Sequence, residues 1–158
     1  MLQQTFIWGA FCLAVFGLCL WRPRAGRIFL GVFFILMALG VNVVFALVDP
    51  DGFARLGTDA PLLAPYEWVF AHVVTRAPVA FGLLVAAFEI TVGVLLIRGG
   101  RWTGWGLVGG IAFLVVISPL GPWTLPNLIM VAALGVLLWH RRMTKAPATA
   151  VRRDGERA

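Results

Sequence analysis

Hydrophobic positions in this chain form long runs instead of alternating with polar ones. They cover Thr5 to Leu20, Ile28 to Val48, Pro78 to Ile97, Trp102 to Ile117 and Thr124 to Trp139. Between them lie WRPRAGR, a long segment over 49–77, RGGR and SPLGPW. About 20 apolar residues cross a bilayer as a helix. The pattern therefore predicts five transmembrane helices, the last two short and extended by flanking residues or accommodated by tilt.

The predicted fold is an all-α polytopic membrane bundle. Residues 1–27 form an N-terminal span with an Arg-rich linker. Residues 28–140 form a four-helix membrane core with a long loop at 49–77. Residues 141–158 form a basic tail, which is rich in Ala, Thr, Pro and Arg from Thr144 and expected to be disordered. The first run lacks a basic segment before it and is followed by arginines, so it reads as a retained helix, not a cleaved signal. In the loop, DPDG marks a turn. After Pro65, YEWVFAHVVTR is expected to form a short helix with Trp68, Val69, Val73 and either His72 or Arg76 along one side. Such a helix would lie on the outer surface or in the mouth of the bundle.

Composition strengthens the membrane reading. The chain has 158 residues, 61% hydrophobic and 13% charged, with a mean hydropathy of +0.93. Soluble domains carry about 25% charged residues, and a chain this short cannot hide so much apolar surface in its own core. The net charge of +6 does not indicate a nucleic-acid partner, because the basic residues sit at helix ends and in the tail. Arg22, Arg24 and Arg27 follow the first run, and Arg98 and Arg101 the third. Arg141, Arg142, Lys145, Arg152, Arg153 and Arg157 follow the fifth. Five spans place all three groups on one side, which the positive-inside rule makes cytoplasmic. The expected setting is the plasma or inner membrane, with the N-terminus and residues 49–77 outside and the C-terminus inside. The tryptophans at 8, 21, 68, 102, 105, 123 and 139 fall near span ends or in the loop, where the ring is apolar and its N–H stays wet. Cys12 and Cys19 share a helix face but lie about 10 Å apart along the axis. That is too far to pair within one helix, so they read as small buried apolar residues.

Candidate chemistry centres on Glu89, inside the third run. Gly82, Ala86, Glu89 and Gly93 form one helical stripe, and small stripes let membrane helices approach closely. Glu89 should thus face another helix. Gly106 and Gly110, with Gly109 beside them, form a small-residue patch at the same depth on the next helix. The third and fourth helices are expected to pack as a tight hairpin with Glu89 near these glycines. A second stripe, Gly31, Ile35, Ala38, Asn42 and Ala46, points Asn42 inward. Counting residues puts Asn42 about 9 Å nearer the outer surface than Glu89, so a direct bond requires tilt or an intervening water. Asn127, His72 and Arg76 complete a predicted polar path opening outward. In this reading Glu89 is the catalytic or coupling group, and Asn42, His72, Arg76 and Asn127 are ligand-binding. The other reading makes Glu89 a protonated structural residue donating to a backbone carbonyl, and Asn42 interhelical glue. With two histidines on opposite sides, no metal or haem site is expected. GGRWTGWGLVGG follows no strand, which excludes a dinucleotide loop.

The stretch AAFEITVGVLLIRGGRWTGWGLVGG, Ala86 to Gly110, resembles the DoxX-like family of small membrane proteins: a glutamate in an apolar helix, a following glycine, a Gly/Arg turn and a Gly-rich helix. The prolines and aromatics of the outer loop fit the same pattern, and the resemblance covers about residues 28 to 139. It implies a four-helix core, a carried-over Glu89, and membership of quinone-linked sulfur oxidoreductase or oxidant-defence complexes. The chain departs from the family in its extra N-terminal span. It also has Asn42 where family members often have a basic residue or histidine. Three functions follow as expectations. The first is an accessory subunit of a quinone-linked redox complex, with quinone near Glu89. The second is an oligomeric proton-coupled solute transporter. The third is a non-catalytic assembly protein. Expected partners are the lipid bilayer and other membrane subunits or further copies of the chain.

Overall fold

The computed structural model describes residues 2–155, with side chains from Thr5 to Thr144. Helix α1 is Leu2–Trp21. Helix α2 runs Pro23–Val48, interrupted by a π-helical turn at Ala38–Val43. Two short helices, α3 (Pro50–Arg55) and α4 (Ala64–His72), and a 3-10 turn at Val74–Arg76 fill the long loop. Helix α5 is Pro78–Arg98 and α6 is Thr103–Ile117, flanked by 3-10 turns at Gly100–Trp102 and Ser118–Leu120. Another 3-10 turn, Pro122–Thr124, precedes α7, Asn127–Gly155.

Local chemistry sets these limits. Pro23, Pro50 and Pro78 open α2, α3 and α5, where the missing N–H costs nothing. Asp49 caps α3 by accepting from the Gly52 amide at 2.8 Å. Helix α5 stops at Gly99 and Gly100, whose φ values of +77° and +61° suit glycine.

Among the described residues, four helical stretches are long and apolar enough to cross a membrane: Pro23–Val48, Pro78–Arg98, Gly100–Leu120 and Pro122–Thr144. The apolar part of α1, Thr5–Trp21, is shorter. The helices close into a ring in the order α1, α2, α5, α6, α7, with α7 returning to α1. Helices α2 and α7 touch only slightly. So α1 is a full member of the ring, wedged between the first and last helices of the expected four-helix core. Cys12, Val15 and Cys19 pack its inner face against Leu30, Leu134 and Leu137 in one continuous core. Both cysteines are buried and unpaired, as their spacing predicts. Large apolar side chains cover the outer faces, such as Leu36 at 62% and Leu84 at 66% exposure. That suits a bundle whose solvent is lipid.

One expectation is sharpened and two are corrected. The loop helix α4 forms as expected and turns Phe70 toward a cluster formed by Phe53, Ala54 and Val74, leaving Trp68, Val69, His72, Val73 and Arg76 exposed. Apolar partners on α3 select the Phe70 side. The backbone beyond Thr144 stays helical as far as Gly155. Its alanines and arginines are good helix formers, which accounts for the difference from the disordered tail read in the sequence. The side chains of Lys145, Arg152 and Arg153 lie outside those described, and Arg157 lies outside the described residues altogether. Finally, Trp8 does not keep its N–H in water but uses it inside the bundle, as described next.

Candidate functional site

Helices α2 and α5 meet through backbone, not through large side chains. A methyl group placed on Gly93 would come 2.6 Å from the Gly31 carbonyl oxygen, and one placed on Gly31 would come 2.8 Å from the Gly93 oxygen. Near the loop end, Gly82 lies directly against Ala46. Both small-residue stripes read from the sequence therefore face each other. Gly82, Ala86, Glu89 and Gly93 are all buried, as are Gly31, Ala38 and Ala46 opposite.

This seam delivers Asn42 to Glu89. The Asn42 side-chain amide donates directly to the Glu89 carboxylate oxygen Oε2. The axial gap expected from residue counting is closed in part by the π-turn that contains Asn42. A π-turn takes more residues for each turn than an α-helix, so a count at about 1.5 Å per residue overstates the distance. Isolated π-turns are unusual and recur at functional sites. Glu89 is only 4% exposed. It accepts from Asn42, and this bond across the seam fits both the coupling role of Glu89 and the reading of Asn42 as interhelical glue. Among the described residues no basic side chain forms an ion pair with it; the ion pair present joins Asp49 to Arg55 at 3.9 Å.

The expected position of Glu89 against the glycines of α6 is also corrected. Gly106 meets Leu95 and Leu96, Gly109 meets Val92 and Phe88, and Gly110 meets Leu134, Phe34 and Val92. The α5–α6 contact is close, as predicted, but it uses a neighbouring face of α5. The stripe that carries Glu89 is turned to α2 instead.

On the ring interior, Glu89 borders a cavity of about 60 Å³. Trp8, Phe33, Phe34, Met37, Phe113, Leu114, Ile117 and Met130 form its apolar wall, and Asn127 is its second polar side chain of the amide or carboxyl kind. Asn127 is buried, and its Oδ1 accepts from the Trp8 indole N–H at 3.0 Å. Among the described residues no buried side-chain nitrogen or oxygen lacks a partner. The structure thus gathers Glu89, Asn42 and Asn127 around one locus, with Trp8 added. The sequence reading missed Trp8 because its place near a helix end suggested an interfacial anchor.

His72 and Arg76 do not reach this locus. His72 is exposed, stacks on Trp68 with ring centroids 5.1 Å apart, and has Nδ1 2.9 Å from the Trp68 carbonyl oxygen. Arg76 is exposed at the end of the 3-10 turn after α4. A separate surface cleft of about 220 Å³, lined by Asp51, Ala54, Arg55, Thr58 and Thr75, lies in the loop. The loop also ties to the α6–α7 turn, through the Leu62 amide to the Pro119 carbonyl at 2.9 Å and the Tyr66 hydroxyl to the Val116 carbonyl at 2.6 Å. At the other end, Arg27 donates to the carbonyl oxygens of Leu96 and Ile97, and Arg141 to those of Gly100 at 3.1 Å and Arg101 at 2.9 Å. Two residues read only as topology signals therefore hold the Gly99–Gly100 turn as well.

The described residues contain no group of three or more His, Cys, Asp or Glu arranged to hold a metal ion. No family model, curated protein or solved structure matches this chain. The resemblance of Ala86–Gly110 rests on its own sequence pattern.

Proposed function

We propose that this chain is a five-span accessory subunit of a membrane redox complex, in which Glu89 gives and takes a proton. The observation that carries this reading is a buried carboxyl held by a neutral amide, beside a small cavity and without a basic partner. Ionisable groups inside membrane helices are costly and mark proton or substrate paths. With no cation among the described residues paired with it, the charge this carboxyl can exchange in place is a proton.

Cavity size favours protons over larger cargo. Ligand pockets usually enclose about 300–1,000 Å³, several times the 60 Å³ found here. A quinone ring does not fit, so in this reading the quinone binds a partner subunit or an outer helix face, and Glu89 serves the coupled proton. The same argument disfavours the transporter of organic solutes. Partner helices have room to approach, since Gly9 and Gly17 on α1 and Gly135 on α7 have no heavy atom within 4 Å of an added methyl, and small residues favour close helix contact. In the proposed orientation the Arg-rich end is cytoplasmic, by the positive-inside rule. The apolar part of α1 is the fifth span, its shortness accommodated by local bilayer thinning.

Infrared titration of the protein purified in mild detergent tests the proton role. The expected result is a carboxyl stretch that appears and disappears reversibly with pH and is missing from folded Glu89→Gln protein. A Glu89 band that is constant over the whole pH range of the folded bundle would overturn the proposal. Purification from native membranes tests the accessory role, which requires stoichiometric co-purifying redox subunits.

A further inference from the structure

Three observations converge on the interior cavity. First, its polar groups stand on different helices: Glu89 in mid-α5, Asn127 at the start of α7. Second, about 10–15 Å³ of cavity is enough to hold a water molecule, so 60 Å³ leaves room for water. A water is stable in such a place where polar partners meet it. Glu89 offers an acceptor, and the Asn127 amide offers N–H groups while its oxygen is taken by Trp8. Third, Trp8 and Asn127 lie close to the starts of α1 and α7, at the bundle end that carries the loop. Chain order requires this, because α1, α5 and α7 all run away from that end. Trp8 is only partly buried, whereas Asn127 and Glu89 are buried. The indole thus stands between the polar cavity and the exterior.

We propose that this cavity is a hydrated proton passage between Glu89 and the loop end of the bundle, with the Trp8 indole on α1 as its lid and the Trp8–Asn127 hydrogen bond as its latch. The inference rests on the proton role of Glu89 and adds the route and its control. It gives α1 a specific task. The helix that closes the ring also supplies the group that covers the cavity. When the latch opens, the Asn127 oxygen becomes free to accept from water, and the water column extends outward. No covalent step is involved; a proton moves along hydrogen bonds to and from the Glu89 carboxyl.

The test is deuterium exchange at Glu89, followed as the isotope shift of its carboxyl infrared band after rapid transfer of the detergent-solubilised protein into D₂O. Trp8→Phe keeps the ring and removes the latch; its exchange should be several-fold faster than that of the unaltered chain. Trp8→Ala removes the lid and should be faster still. Asn127→Leu removes the latch together with the water's amide partner, so its exchange should be slower than that of Trp8→Phe. Leu84→Ala, on the exposed outer face of α5, should leave it unchanged. Amide exchange over α5 in each variant shows whether the bundle stays closed. If Glu89 titrates but Trp8→Phe and Trp8→Ala exchange at the original rate in a closed bundle, the lid is wrong while the proton role stands. If no Glu89 band titrates, the proton role falls and the passage falls with it.

Discussion

The two seams that flank the cavity are built on opposite plans. Between α2 and α5, Gly31, Gly82 and Gly93 bring backbones together, and one amide–carboxyl bond crosses the contact. Where α1 closes the ring, bulk fills the space: Trp8 stacks on Phe11 at 5.3 Å between centroids, and Phe11 meets Phe33 at the same distance. A polar bond crosses here as well, from Trp8 to Asn127. In lipid there is little hydrophobic drive between helices, so association relies on packing and interhelical hydrogen bonds. A backbone seam achieves this by exact fit and has no slack. A ring-filled seam can shift rotamers and tolerate loss.

The contrast can be broken first at Gly93. Gly93→Leu would force α2 and α5 apart, because even a methyl group there collides with the Gly31 carbonyl. Overpacking typically costs about 1–3 kcal/mol, and with backbone as the obstacle the upper value is expected. Reversible unfolding in detergent micelles measures it. Asn42→Ala comes next. It leaves the Glu89 carboxyl without its donor and should cost about 1–2 kcal/mol, with a shifted Glu89 carboxyl band as an independent readout. Trp8→Phe should cost only about 0.6 kcal/mol, the average for a membrane interhelical hydrogen bond. A loss as large as that at Gly93 would show that the ring-filled seam has no slack either. The smallest effect is expected from Tyr66→Phe, about 0.5 kcal/mol. It removes the loop's bond to the Val116 carbonyl and should leave both seams intact by amide exchange.

The small-residue stripes were legible because helical spacing alone puts Gly82, Ala86, Glu89 and Gly93 on one face, and Gly31, Ala38, Asn42 and Ala46 on another. What spacing does not encode is which two faces meet. Equal depth on the next helix points Glu89 to the glycines of α6, yet α2 offers both a glycine face and a donor. The π-turn left no clear sequence mark beyond Gly40 and Asn42, both poor helix formers. Trp8 was misread for a related reason. A tryptophan near a helix end satisfies the rule for interfacial anchors equally well whether its N–H meets water or Asn127. The position of α1 followed from no local feature. Nothing in its own apolar run distinguishes a helix appended to a bundle from one that completes it.

The arginine contacts at the opposite end have a consequence for biogenesis. The Gly99–Gly100 turn is held from one side by Arg27 of α2, made before it, and from the other by Arg141 of α7, made after it. During membrane insertion the α5–α6 hairpin therefore emerges with its turn held on one side only. Its second hold waits until α7 has been made and packed, so α7 is the element that locks this end of the bundle.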